Sequence, residues 1–257
     1  MILSCQKSGV EKTPLNAALQ SEYGGDAIIK NYPSDLQEIH GQTPIDIAVN
    51  NTVKFKSVDP VIHYEGASYK VTYNPTAYPD KTEYNLKATP TDGNNYITIK
   101  DTVYKLLQFH FHYGSEHAIQ GSKGLMEVHL VHQSAGGKLA VLGVLIYKGG
   151  KDNDYGEVFE ASPENKDAAF NTLNDFDVSK LLPANANLYY TYSGSLTTPG
   201  GGVTEPPYLE GLTWIVFKGF KSISPEQYNH YTELYEEPNA REIQPTAGRT
   251  IYEHVGN

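Results

Sequence analysis

The chain has 257 residues, 39% of them hydrophobic and 19% charged, with a formal net charge of -10. That length and balance allow one sheet-rich domain with a substantial core. The acidic balance excludes nucleic acid as the main partner, since phosphate binding demands clustered Lys and Arg, and no apolar run reaches the length of a membrane span.

The single cysteine, Cys5, rules out a disulfide within the chain and a zinc site built on cysteines. Met1-Ile2-Leu3-Ser4-Cys5 resembles the end of a bacterial lipoprotein signal. On that reading the protein is periplasmic or secreted and lipid-anchored through Cys5. The other reading is an incidental cysteine in an irregular start. Residues 1–35 read as an irregular N-terminal arm, and residues 36–257 as one domain.

Tyrosine is frequent, with 20 residues, which favours half-exposed strands. Strands are expected at Ser68–Tyr73, Tyr96–Lys100, Tyr104–Tyr113, Leu125–Gln133, Leu139–Lys148, Asn187–Ser193 and Leu212–Lys218. Gly and Asn turn-formers separate several of them. A helix is expected after Ser224, with Pro225 in its first turn, and a second short one at Asp167–Leu173. The fold class is mostly β: one large twisted, mainly antiparallel sheet with a few short peripheral helices.

The informative stretch is Gln108-Phe109-His110-Phe111-His112-Tyr113-Gly114-Ser115-Glu116-His117. Side chains alternate along a strand, so His110 and His112 share one face and Phe109, Phe111 and Tyr113 the other. A His-x-His pair alone is a weak signal. In Glu127-Val128-His129-Leu130-Val131-His132, however, Glu127, His129 and Val131 share a face. Pairing the two strands lets His129 complete a set of three neutral nitrogens with an open fourth position, the catalytic zinc arrangement. Glu127 either accepts an imidazole N–H behind the ligands or is a solvated strand residue; the apolar segment favours the first.

These motifs closely resemble the α-carbonic anhydrases of bacterial type. Further matches follow in order: Gln42–Ile47, Leu139–Gly143, Tyr192–Pro199, Thr213–Val216, Ser222–Gln227, and Asn239-Ala240-Arg241 with Gln244 and Arg249. The resemblance implies a zinc lyase that reversibly hydrates carbon dioxide to bicarbonate and a proton, by attack of zinc-bound hydroxide. It implies Zn2+ on His110, His112 and His129, with Gln108 and Glu127 as partners of the ligand rings. By the same resemblance Thr197 and Glu116 form the catalytic relay that orients the nucleophile, and Thr198 contacts bicarbonate. Val131, Val141, Leu196, Leu212 and Trp214 form the wall that faces CO2, although core packing alone also explains them. His117 and His132 read as structural. Sulfonamide-type inhibitors are expected to bind, and association of copies into a homo-oligomer stays open.

Four departures from the family stand out. Many members carry a proton-shuttling histidine, whereas the corresponding Tyr78-Pro79-Asp80-Lys81 has none. Tyr208 stands where secreted bacterial members have a disulfide cysteine. An insertion, Gly200–Pro206, follows Pro199 and leaves a weaker alignment with Thr204 near the zinc. Only Tyr23-Gly24-Gly25 suggests the family's N-terminal aromatic cluster. A non-catalytic binding or storage relative and a zinc esterase are the competing functions. Such binding relatives usually lack a zinc histidine, and all three are present here.

Overall fold

The structure, a computed structural model, describes residues 28–34, 36 and 40–256. Cys5 and Tyr23 lie outside the described residues. Among the described residues sixteen strands run in chain order: β1 (Asp46–Ile47), β2 (Thr52–Phe55), β3 (Val61–His63), β4 (Gly66–Ala77), β5 (Thr82–Pro90) and β6 (Tyr96–Ile99). Then come β7 (Thr102–Tyr113), β8 (Ala118–Ile119), β9 (Ser122–Lys123), β10 (Met126–Ser134) and β11 (Leu139–Lys148). The last are β12 (Asn171–Asp177), β13 (Tyr189–Ser195), β14 (Glu210–Phe217), β15 (Lys221–Ile223) and β16 (Ile251–His254). Among the described residues two α-helices, α1 (Asn153–Glu160) and α2 (Pro225–Leu234), lie between them.

One large sheet organises the molecule, in the order β12-β4-β5-β7-β10-β11-β14-β13-β16-β2, with β3, β6 and β15 paired beside this path. Most neighbours are antiparallel, while β11–β14, β11–β15 and β16–β2 are parallel. A small sheet joins β1, β8 and β9. The fold class expected from sequence is the one observed. Alternation on the central strands separates two apolar bodies. Phe109 and Phe111 enter the main core with Val128, Leu142 and Ile215. On the opposite face Val131, Val141, Leu212 and Trp214 form a second cluster, with Leu196 packed against it.

A bulge sharpens this division. Val131 pairs with Gln108, but the next residue, His132, pairs with Leu106, so Leu107 is the extra residue. A bulge re-aims the strand locally. Tyr104 and Leu106 lie in the main core, as do Phe109 and Phe111, although the two pairs are out of phase. The histidine face thus begins at Gln108.

The expected helix at Asp167–Leu173 is a misreading. Asn165 Oδ1 accepts from the amides of Asp167 and Ala168, forming a turn. Residues Asn171–Asp177 then pair as β12 on β4, which buries Leu173 and Phe176. Tertiary burial outweighs the local helical signal here. The Ser224 cap is borne out: its hydroxyl accepts from Gln227 N while the Gln227 side chain accepts from Ser224 N, a closed capping box. The end of the N-terminal arm is held to the sheet. Ile29 bridges to Phe55, and Tyr32 is buried with its hydroxyl 3.2 Å from Thr191 Oγ1.

Candidate metal centre

Three rows of cross-strand partners build the site on one face of the sheet. Lys87, His110, His129, Gly143 and Val216 form the middle row. Gln108, Val131, Val141, Trp214 and Tyr192 lie two residues to one side. His112, Glu127 and Leu145 lie two residues to the other. Directly opposed residues share a face and touch, so the sheet itself gathers the three histidines beside an apolar row. His112 and His129 are fully buried and His110 half-buried.

Each ring spends one nitrogen on a fixed acceptor. His110 Nδ1 lies 2.8 Å from Gln108 Oε1, His112 Nδ1 3.2 Å from the Asn239 carbonyl oxygen, and His129 Nε2 2.9 Å from Glu127 Oε1. The two acceptors from uncharged groups, and the Glu127 carboxylate, require the N–H on those atoms. The lone pairs therefore fall on His110 Nε2, His112 Nε2 and His129 Nδ1. His110 Nε2 and His112 Nε2 face each other at 3.0 Å, and one ligand atom from each of the three rings lies within 4.8 Å of the others. Two lone pairs that close repel unless a cation sits between them. Zinc–nitrogen bonds of about 2.0–2.1 Å place tetrahedral ligand atoms ~3.3 Å apart, so the set fits a zinc ion.

Glu127 anchors the arrangement. Its Oε1 takes His129 and, at 2.7 Å, His117 Nδ1, while its Oε2 accepts from the amides of Glu116 and His117 at 2.9 and 2.8 Å. Burial alone would raise its pKa, but the charges and hydrogen bonds of His117 and His129 hold it well below the usual carboxylate range. Burial lowers the pKa of His110 and His112, which favours the neutral, ligating form. For His129 burial lowers the pKa, and the opposing pull of Glu127 outweighs it. His117 also contacts the Tyr192 hydroxyl through Nε2 at 2.6 Å, and His132 Nε2 lies 2.7 Å from the Tyr64 hydroxyl. Both are engaged in the framework, as their reading as structural histidines expects. His117, Glu127 and His129 also form a metal-sized cluster, but both His117 nitrogens already have partners.

Glu116 is fully buried. Its Oε1 accepts from Arg241 N at 2.8 Å and its Oε2 has no partner. Thr197 is buried, Thr198 half-buried, and Thr204 exposed. The Thr197–Glu116 hydrogen bond expected from sequence is not formed. Gln42 clamps the chain after the insertion, accepting from Tyr208 N and donating to Tyr208 O, each at 2.9 Å. Within the insertion Gly200 and Val203 pair across Gly201-Gly202, an exposed turn. Sequence reading missed two participants: the Asn239 carbonyl, a backbone group with no side-chain signature, and Lys87.

Three imidazoles, each with one ring nitrogen tied to a fixed acceptor, form a group that could hold one metal ion. The profile of eukaryotic-type carbonic anhydrases matches residues 30–255. The carbonic anhydrase of Nostoc sp. is 32% identical over 217 residues, covering 83% of this chain and 76% of that protein. The α-carbonic anhydrase of Thermovibrio ammonificans, solved with the inhibitor sulfanilamide, aligns with a TM-score of 0.72 at 32% identity, over 82% of this chain and 86% of that one. Dioscorin, solved with ascorbate, aligns with a TM-score of 0.66 at 25% identity, over 82% of this chain and 84% of that one. The chain belongs to the eukaryotic-type, or α, carbonic anhydrase family.

Proposed function

We propose that this protein catalyses the reversible hydration of carbon dioxide to bicarbonate and a proton, with one zinc ion on His110, His112 and His129. The observation that carries the reading is the ring set: three separate acceptors each occupy one nitrogen of a ring, and one ligand atom from each ring lies within 4.8 Å of the others. Bound there, zinc would supply a water acidified toward neutral pH as nucleophile, an effect for which carbonic anhydrases are the type example, at about pKa 7.

The chain's own groups do the rest. Gln108, Asn239 and Glu127 hold the rings in place. Glu116 Oε2, buried and without a partner, is the natural acceptor for the Thr197 hydroxyl. With its proton committed there, Thr197 Oγ1 can only accept from the attacking oxygen, which orients a lone pair toward carbon. Thr198 contacts the bicarbonate product. Val131, Val141, Leu196, Leu212 and Trp214 hold CO2 and exclude water. The same open position should bind an aromatic sulfonamide. Lipidation of Cys5 is a separate proposal, read by mass spectrometry of the intact chain.

Dioscorin's ascorbate complex supports a second reading, a non-catalytic binding protein. The intact ring set favours the enzyme. Stopped-flow CO2 hydration decides between them: activity lost to a zinc chelator and restored by zinc supports hydration. A zinc-loaded protein no faster than buffer contradicts it.

A further inference from the structure

Lys87 is a cation on the sheet face that carries the ligand rings. It stands directly across from His110 in the antiparallel β5–β7 pair, so its side chain rises on the face that carries the three ligand rings. It is half-buried.

No carboxylate among the described residues compensates it. The described lysine ion pairs belong to Lys81, Lys180, Lys218 and Lys221. The acids of the site have other neighbours. Glu83 pairs with Lys81 at 2.6 Å, Glu127 accepts from four donors, and Glu116 faces Arg241 N and the ligand rings. A desolvated cation beside the position of a second cation is unfavourable unless an anion joins them.

The geometry points to an anion subsite at Lys87, adjoining the metal position, that takes a small carboxylate-type anion, of which bicarbonate is one. The inference rests on the zinc reading above. It deepens it by giving the product side of the cavity a charge preference that the three histidines alone do not supply. The Lys87 stem can lie along the sheet while the ammonium meets the anion.

Calorimetry on the zinc-loaded full chain tests this with two ligands of one shape and opposite charge, 4-carboxybenzenesulfonamide and 4-(aminomethyl)benzenesulfonamide. Wild type should prefer the carboxylate by about tenfold. Lys87→Gln should reduce that ratio toward one, by weakening the carboxylate compound and strengthening the amine. Lys87→Arg should keep it, and binding of either compound by the Gln variant shows that its site is folded. An unchanged ratio in Lys87→Gln, or equal loss for both compounds, overturns the subsite alone. Binding of neither compound to the zinc-loaded wild type overturns the proposed function, and the subsite with it.

Discussion

His129 lies directly across from Gly143 in the β10–β11 pair, and a β-carbon at position 143 would stand 2.9 Å from Glu127 Oε1. The glycine is therefore required by the carboxylate that orients His129, not by its own backbone conformation. Gly143→Ala forces Glu127 or the strand to shift. Overpacking of this kind costs about 1–3 kcal/mol. Denaturant unfolding of the metal-free protein should show that loss, and competition with a chelator should show at least about tenfold weaker zinc binding. Wild-type values for both would separate Gly143 from the site.

Proton export should limit turnover. The segment aligned with the family's shuttling histidine is the turn between β4 and β5, where Tyr78 N donates to Lys81 O. Lys81 pairs with Glu83, and the two histidines that precede this turn in the chain, His63 on β3 and the exposed His40, stack on Tyr96 and face Glu210 respectively. Imidazole-type buffers should raise kcat while leaving kcat/KM unchanged, because they act after bicarbonate leaves. Lys81→His should reduce that dependence. Fast turnover indifferent to buffer concentration would show that another relay operates.

Acid stability should report His132. Burial lowers its pKa from 6.5 to about 3, so the unfolded chain binds a proton that the folded chain refuses. Its contribution is full above pH 6.5 and is lost as pH falls from there toward about 3. His132→Gln should remove one proton from the unfolding linkage over that window. The metal-free variant's stability should then vary with pH less steeply, by about 1.4 kcal/mol per pH unit. Identical slopes would mean that His132 is charged in the folded state.

The ligand histidines were legible because β7 alternates from Gln108 onward, which puts His110 and His112 on one face, and because the apolar β10 offers His129 to that face once the two strands pair. The bulge at Leu107 was not, since it needs the partner strand to define it. Lys87 escaped notice because Thr82–Pro90 is polar, ends in proline and shows no clean alternation. Its face is fixed only by pairing with β7. Helix α1 is short and contains Gly156, packed against the Gln227 amide, which hides it from propensity. The helix expected at Asp167–Leu173 overlaps the start of the strand Asn171–Asp177, whose burial comes from β4, far away in sequence.

The central claim is that one zinc sits on His110, His112 and His129, not on the neighbouring group of His117, Glu127 and His129. His129 belongs to both groups, so its removal cannot distinguish them. Zinc content after dialysis, measured side by side for His110→Ala and His117→Gln, can. The account predicts one zinc per chain in wild type, near-complete loss in His110→Ala and retention in His117→Gln. Full retention in His110→Ala with loss in His117→Gln would contradict it.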